Sequence, residues 1–467
     1  MNNTLPLSSG SAVAPPSARA LSPDWAAKLG HVCTAGDPLV REMLEGFQEV
    51  GAGESEGAGD LVRRVDTGRV PPLAHVIGVG GSFASVPNVL SPEKVLGYVK
   101  VAAAAVCVAD VRRLKEPVIN PEAVARLLAE GANTGATVLP LGNVRIPGRT
   151  LMQSVRHALL ATFEHFEGGA LYETLEFLVG YGWDEEAPPW RAGGAAGARG
   201  GGEGGSHRPR FLCPFCDAMV LFPRRRREFR CHGCNAALTL VDALGLITDA
   251  SESSSESAVA MNLKAVLEHL TLLTHLRRLV EMGRGFHGRV MLLRDGPLML
   301  RGGAARLLAE PVRAWLRALD ERGVRYCIAG VEREGAFASH RRQMGEWFDG
   351  EDAVFVPDNR YVLERIKHAG GATAVYGRRG LYGSKAFCRV DPQNVLVLTL
   401  PNRRHDFDKF AADAGVDDLV GLEAALATLK ALVSHHFPGL PLPLVAVERL
   451  LAVHRHASAD LVERVTG

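Results

Sequence analysis

The 467-residue chain lacks an apolar run long enough to cross a bilayer, and its start lacks a basic segment followed by a continuous apolar stretch. We therefore expect no membrane contact, no secretory signal and a cytoplasmic location. An excess of either charge is also lacking, because 53 basic side chains against 52 acidic ones leave a net charge of +1. A nucleic-acid partner would have to be recognised through local basic patches rather than through overall charge.

The sequence also lacks a complete phosphate-binding loop. The run HVIGVGGSFASV, residues 75–86, has no lysine where a Walker loop requires one. Phe83 replaces the last glycine of a dinucleotide-binding fingerprint. Any ATP-driven motor that works with this protein must therefore come from another chain.

Cysteine is too scarce for a disulfide framework, since eight cysteines are spread over the 467 residues. Four of them nevertheless form two CxxC pairs separated by fourteen residues: Cys213, Cys216, Cys231 and Cys234. Each pair can form a knuckle, and four thiolates around one ion are typical of a structural Zn²⁺ site. The sequence therefore predicts a zinc ribbon over residues 210–245.

Two basic segments are candidates for contact with nucleic-acid phosphates. The first is the turn PRRRRE inside the predicted ribbon, which contains Arg224, Arg225, Arg226 and Arg227. The second is GRRGLYGSK, which places basic side chains among glycines: Arg378, Arg379 and Lys385. A solvated loop explains either charge run equally well, so both interpretations stay open.

Strand-like and helix-like segments alternate along much of the chain, which predicts an α/β fold whose sheet is covered by helices. Breaks rich in Gly, Ser and Pro separate these segments. The predicted divisions are a variable, partly disordered N-terminal region (1–72), a first part of the core (73–187), a glycine-rich linker (188–209), the zinc ribbon (210–245) and a second part of the core (258–467).

The run VMLLRDGPLML, residues 290–300, places Asp295 at the end of an apolar strand, where Gly296 and Pro297 turn the chain. A carboxylate held in this way is a suitable ligand for Mg²⁺ or Mn²⁺. An ordinary Asp-Gly turn explains the same residues, and the residues alone favour that simpler interpretation.

Four short segments occur in an order that resembles the NurA nuclease family: VGGSF (79–83), LLRDGPL (292–298), CIAGV (327–331) and LPLPLVAVE (440–448). The resemblance covers residues 73–110 and 258–467. It implies an RNase H-like core with a mixed sheet, into which the zinc ribbon is inserted. It further implies Mn²⁺-dependent degradation of DNA ends, a HerA-type hexameric ATPase as partner, and a homodimer.

The chain departs from this family at the site itself. Gly80 stands where the family has a metal-binding aspartate, and Glu448 stands where the family has a histidine. The resemblance matches the family's helical glutamate to Glu268, so Asp295, Glu268 and Glu448 are the candidate catalytic residues, with Asp295 as a Mn²⁺ or Mg²⁺ ligand. Glu448 is also explained as an acid in the first turn of a helix, where the helix dipole favours it.

Three functions are compatible with these residues. The first is a DNA-end-processing nuclease, in repair or phage defence, that acts with a HerA-type ATPase. The second is a catalytically silent subunit that holds DNA through its arginine-rich zinc ribbon and assembles with the ATPase. The third is a zinc-ribbon module of a transcription or translation assembly, which leaves LLRDGPL unexplained.

Overall fold

A computed structural model describes most of the chain between residues 61 and 451. The described residues are 38, 42, 61–88, 94–113, 131–180, 210–221, 227–247, 257–283, 285–342, 344, 347, 348, 350–368, 375–403, 414–433, 437 and 439–451. Contacts divide the chain into Met1–Glu56 and Gly57–Gly467, and the elements named here belong to the second unit. The predicted linker (188–209) and most of the predicted N-terminal region (1–72) lie outside the described residues.

The strands are β1 (Arg63–Arg64), β2 (His75–Asn88), β3 (Lys94–Cys107), β4 (Ala132–Gly142), β5 (Arg210–Leu212), β6 (Met219–Leu221), β7 (Glu228–Arg230), β8 (Ala237–Thr239), β9 (Val290–Asp295), β10 (Cys327–Val331), β11 (Ala353–Phe355), β12 (Ser384–Asp391) and β13 (Asn394–Leu400). Within the described residues, nine of them form one mixed sheet in the order β1-β11-β12-β13-β10-β9-β2-β3-β4. The central strands β10, β9 and β2 are parallel, and their neighbours are antiparallel. Two short hairpins, β5–β6 and β7–β8, form the cysteine module.

The helices are α1 (Val108–Arg113), α2 (Leu151–His165), α3 (Ala170–Gly180), α4 (Ser257–Glu281), α5 (Gly302–Glu321), α6 (Ala336–Arg341), α7 (Leu422–Lys430) and α8 (442–451). Between α6 and α7, a short helical segment at Asn359–Tyr361 continues into a π-helical turn at Val362–Ile366. Thr150 caps α2, because its side chain accepts from the N–H of Gln153 while the Gln153 side chain accepts from the Thr150 N–H. Left-handed backbone at Glu167 and Gly168 separates α2 from α3.

Side-chain alternation along β9 explains how the core is divided into two layers. Leu292 packs on one side of the sheet with residues of α2 to α5, and this side is called the α4 face. Met291 and Leu293 pack on the other side with residues of α7 and α8, and this side is called the α8 face. Because both sides are covered, the strand is an almost continuous apolar run. Its two charged residues, Arg294 and Asp295, stand at its end.

The prediction of an α/β fold with a mixed sheet flanked by helices is confirmed. The apolar side chains of the cysteine module, such as Phe211 and Leu238, join the core of the α4 face, so the module is packed onto the rest of the fold. No helix among the residues that the structure describes is long and apolar enough to cross a membrane.

Candidate functional site

The carboxyl ends of the central parallel strands bring one cluster of charged side chains together. Asp295 is the last residue of β9, and the parallel register places Val331, the last residue of β10, beside it. Arg333 lies two residues beyond Val331, and Glu448 lies on α8. In open α/β sheets the carboxyl ends of the strands are the usual location of ligand sites. This cluster of Asp295, Arg333 and Glu448 is called the central cluster.

Arg333 occupies the middle of the central cluster. Its Nε and Nη2 atoms lie 3.0 and 2.7 Å from the two carboxylate oxygens of Asp295. Its Nη1 atom lies 2.7 Å from Oε1 of Glu448. Burial alone would lower the pKa of Arg333, but the hydrogen bonds and charges of Asp295 and Glu448 raise it above its usual value. The guanidinium is therefore permanently charged and neutralises one of the two carboxylates.

Gly80 lies in β2 directly beside Asp295, on the α8 face of the sheet. A Cβ atom at Gly80 would lie 3.3 Å from Cβ of Asp295 and only 2.9 Å from Cγ1 of Val447 on α8. The Val447 side chain thus fills the space into which a carboxylate at position 80 would project. An aspartate there requires α8 or Val447 to move.

Glu268 belongs to a different group of charges, on the α4 face. Its buried carboxylate binds Nη2 of Arg294 at 2.5 Å and lies 3.2 Å from Nζ of Lys264. A Cβ atom at Gly81 would overlap with Glu268, whereas Gly80 faces Asp295. Since adjacent residues of a strand point to opposite faces, Glu268 and Asp295 lie on opposite sides of the sheet.

The structure therefore brings Asp295 and Glu448 together, and it does not bring Glu268 to them. The turn after Asp295 is also present, because Gly296 has a φ of 114° and its N–H binds the Val331 carbonyl at 2.7 Å. Glu448 is not in the first turn of its helix, which begins at residue 442, so its ion pair with Arg333 accounts for it better than the helix dipole.

Sequence reasoning did not identify Arg333. Its signal is the segment VEREG (331–335), which begins at the last residue of an apolar strand, as RDG (294–296) begins within the last two residues of β9. Only the pairing of β10 with β9 shows that the two segments are neighbours.

The four patterned cysteines form the second site. Their sulfur atoms lie within 4.8 Å of one another, with 3.7 Å between Cys213 and Cys234 and 3.6 Å between Cys216 and Cys231. Four thiolates at about 2.3 Å from a tetrahedral Zn²⁺ would be about 3.8 Å apart, so the spacing fits that ion. Across the described ranges, no second group of three such ligands lies this close.

The two cysteine knuckles repeat one local structure. In each knuckle the backbone carbonyl of the first cysteine accepts a hydrogen bond from the N–H of a residue four positions later, Asp217 or Asn235, whose backbone is left-handed. Backbone N–H groups of Cys234 and Gly233 point at the Cys231 sulfur and lower the pKa of this thiol, whereas burial raises the pKa of Cys213. Donors arranged in this way stabilise thiolates, the form that binds a metal. The four cysteines could therefore hold a metal such as zinc.

Arg156 of α2 fixes the cysteine module to the main body of the fold. Its Nε and Nη2 atoms each lie 2.7 Å from a carboxylate oxygen of Asp242, and Nη2 also donates to the Ala237 carbonyl. The guanidinium carbon lies 4.7 Å from the centre of the Phe215 ring. A planar guanidinium in such a bidentate pair restrains orientation as well as distance, so the module is held in one position.

The candidate phosphate contacts differ in their surroundings. Arg224, Arg225 and Arg226 lie outside the described residues, whereas Arg227 stacks on Tyr172 with 5.1 Å between guanidinium carbon and ring centre. Arg378 and Arg379 are exposed. Lys385 is buried and forms an ion pair with Glu332, so its ammonium is not presented at the surface.

Fold and site together define an α/β protein with a large mixed sheet, a charged central cluster and a module of four cysteines suited to a metal such as zinc. The chain matches no family model, and a comparison with curated proteins likewise finds no match.

Proposed function

We propose that this protein is a nucleic-acid-binding and assembly subunit, built on a NurA-like, RNase H-like core whose nuclease chemistry has been lost. In this proposal it binds DNA and works with a HerA-type ATPase in DNA repair or phage defence. The loss of nuclease activity is supported by the position of Arg333, which forms ion pairs with both Asp295 and Glu448. The DNA and ATPase partners rest on the order of the four sequence motifs.

Metal-dependent hydrolysis of a phosphodiester by two ions needs several oxygen ligands around cations about 3.5–4 Å apart. In the central cluster a fixed guanidinium is bound to Asp295 through two hydrogen bonds. Gly80 contributes no oxygen, and Val447 fills the space beside it. Glu268 lies on the other side of the sheet. These features support a site in which the guanidinium of Arg333, and not a metal ion, supplies the positive charge beside Asp295 and Glu448.

A Mn²⁺- or Mg²⁺-dependent nuclease is the second candidate. The observation in its favour is that Asp295 and Glu448 converge on a single position of positive charge. A divalent cation could bind these two carboxylates only if Arg333 moved away. Nuclease activity would therefore require a rearrangement of the segment that follows β10.

The deciding experiment is a nuclease time course on labelled single- and double-stranded DNA with Mn²⁺, with and without a HerA-type ATPase. We expect DNA binding without cleavage by the unmodified protein. The variants Asp295→Asn and Glu448→Gln are compared with Glu364→Gln, which changes an acid of an exposed helical ion pair. Cleavage that persists in the control and disappears in Asp295→Asn would establish the second candidate instead.

Assembly is tested separately from chemistry. Light scattering of the purified protein should give the mass of a homodimer, and mixing with the ATPase should give a larger complex. A mass equal to one chain under all conditions would contradict the homodimer. Failure to associate with the ATPase would contradict the assembly role while leaving DNA binding to be judged by its own measurement.

A further inference from the structure

The loop at residues 375–383 is exposed at Arg378 and Arg379, and its buried second half is held by backbone hydrogen bonds. The Leu300 N–H donates to the Gly380 carbonyl at 3.0 Å, and the Tyr382 N–H donates to the Leu298 carbonyl at 3.0 Å. A Cβ atom at Gly380 would overlap with the Leu300 carbonyl oxygen, so only glycine allows this close approach. Residues 380–382 of the loop are thus joined to the segment that follows β9.

The buried side chain of Arg313 binds backbone carbonyl groups of this loop. Arg313 of α5 donates from Nε to the Leu381 carbonyl at 2.7 Å and from Nη2 to the Arg378 carbonyl at 2.8 Å. Its Nη1 atom lies 3.1 Å from Oε2 of Glu310. Hydrogen bonds from a charged donor are stronger than neutral ones, and burial makes their loss costly. The backbone of the loop is therefore fixed before any ligand binds.

The rigid loop presents positive charge to solvent. Arg378 and Arg379 are exposed at its tip, and the exposed Arg301 follows Leu300, whose N–H binds the loop. Neither residues 375–383 nor residues 296–301 contain an acidic side chain. The three exposed arginines form what is here called the arginine platform.

We propose that the arginine platform binds the phosphate backbone of nucleic acid, with Arg378 and Arg379 on successive phosphates and Arg301 beside them. This inference rests on the nucleic-acid-binding function proposed above and names the surface that performs it. Arginine forks match phosphate oxygens, and a loop that is already ordered loses little entropy on binding. Contacts to phosphates carry no base information, so binding at this surface is independent of sequence.

The test is fluorescence anisotropy of a labelled DNA duplex over a series of salt concentrations. Each lost phosphate contact lowers the slope of log K against log salt by about 0.9, so Arg378→Gln with Arg379→Gln should lower it by about 1.8. The matched control is Arg112→Gln with Arg113→Gln, another exposed adjacent pair, on α1, which removes the same charge. The control should leave the slope within error of the unmodified protein.

The conservative pair Arg378→Lys with Arg379→Lys separates charge from loss of structure and should restore most of the slope. An unchanged slope in the Gln pair, with DNA still bound, overturns the arginine platform but leaves the proposed function standing. Equal reductions in the Gln pair and in the α1 control also overturn it, because they would report net charge alone. If the unmodified protein does not bind DNA, the proposed function and this inference both fail.

Discussion

Replacing Arg333 by glutamine should expose the electrostatic role of the central cluster. The substitution keeps hydrogen-bonding capacity but removes the charge that neutralises Asp295 and Glu448. Removing one partner of a fully buried ion pair costs about 3–5 kcal/mol, whereas exposed pairs contribute about 0–1 kcal/mol. Here 22% of the Asp295 side chain and 44% of the Glu448 side chain are exposed, so the cluster lies between these limits. We expect a loss of about 1–2 kcal/mol in the free energy of unfolding.

The assay is urea unfolding at neutral pH and low salt without divalent cations. Arg360→Gln is the matched control, because Arg360 is exposed and pairs with Glu364 one helical turn away. The control should lose at most about 0.5 kcal/mol. If Arg333→Gln is as stable as this control, the ion pairs of the central cluster contribute nothing measurable and the electrostatic argument is refuted.

A second measurement on the same variant addresses the metal. Without Arg333, the two carboxylates become available to a divalent cation. Mn²⁺ at ten times its dissociation constant should then stabilise Arg333→Gln by about 1.4 kcal/mol. The unmodified protein and Arg360→Gln should show no such gain. A gain of equal size in the unmodified protein would mean that Mn²⁺ binds despite Arg333, which would support the nuclease.

Three further outcomes follow from the structure. Metal analysis should find one zinc ion per chain, and Cys231→Ser should abolish its retention after dialysis against a chelator, because the site needs four thiolates. Gly135→Ala should cost about 1–3 kcal/mol in urea unfolding, since the added Cβ would overlap with the Phe166 ring; an unchanged midpoint would argue against that packing. Burial holds the pKa of His269 well below 6.5, so the unfolded chain binds an extra proton below that pH. Stability should therefore fall as the pH drops through this range, by up to about 1.4 kcal/mol per pH unit, and the fall should be shallower in His269→Gln.

Much of the fold could be predicted from local patterns. Apolar runs such as CIAGV and NVLVLTL predict strands, and they are β10 and β13 in the structure. The end of one such run also placed Asp295 at a strand terminus. The spacing of the cysteines predicts a metal site, because each CxxC pair closes its own knuckle without help from the rest of the chain.

The candidate site was less predictable, because its members come from distant segments. Glu268 lies midway along α4 and Asp295 ends β9, and the structure places these two acids on opposite faces of the sheet. Helical and strand periodicity assign a residue to one side of its own element only. The pairing register of β2 with β9 and the packing of α4 decide whether two residues from different elements lie on the same face of the sheet.

The sequence by itself determined the α/β alternation, the strand that ends in Asp295 and the four cysteines that can bind a metal. These features depend on contacts within a few residues, so the local pattern is sufficient. The tertiary structure alone decided that Arg333 lies between Asp295 and Glu448 and that Val447 fills the space beside Gly80. It also decided that Arg313 binds the carbonyl groups of Arg378 and Leu381. Each of these is a contact between segments far apart in the chain, and it exists because the sheet register and helix packing bring their backbones together.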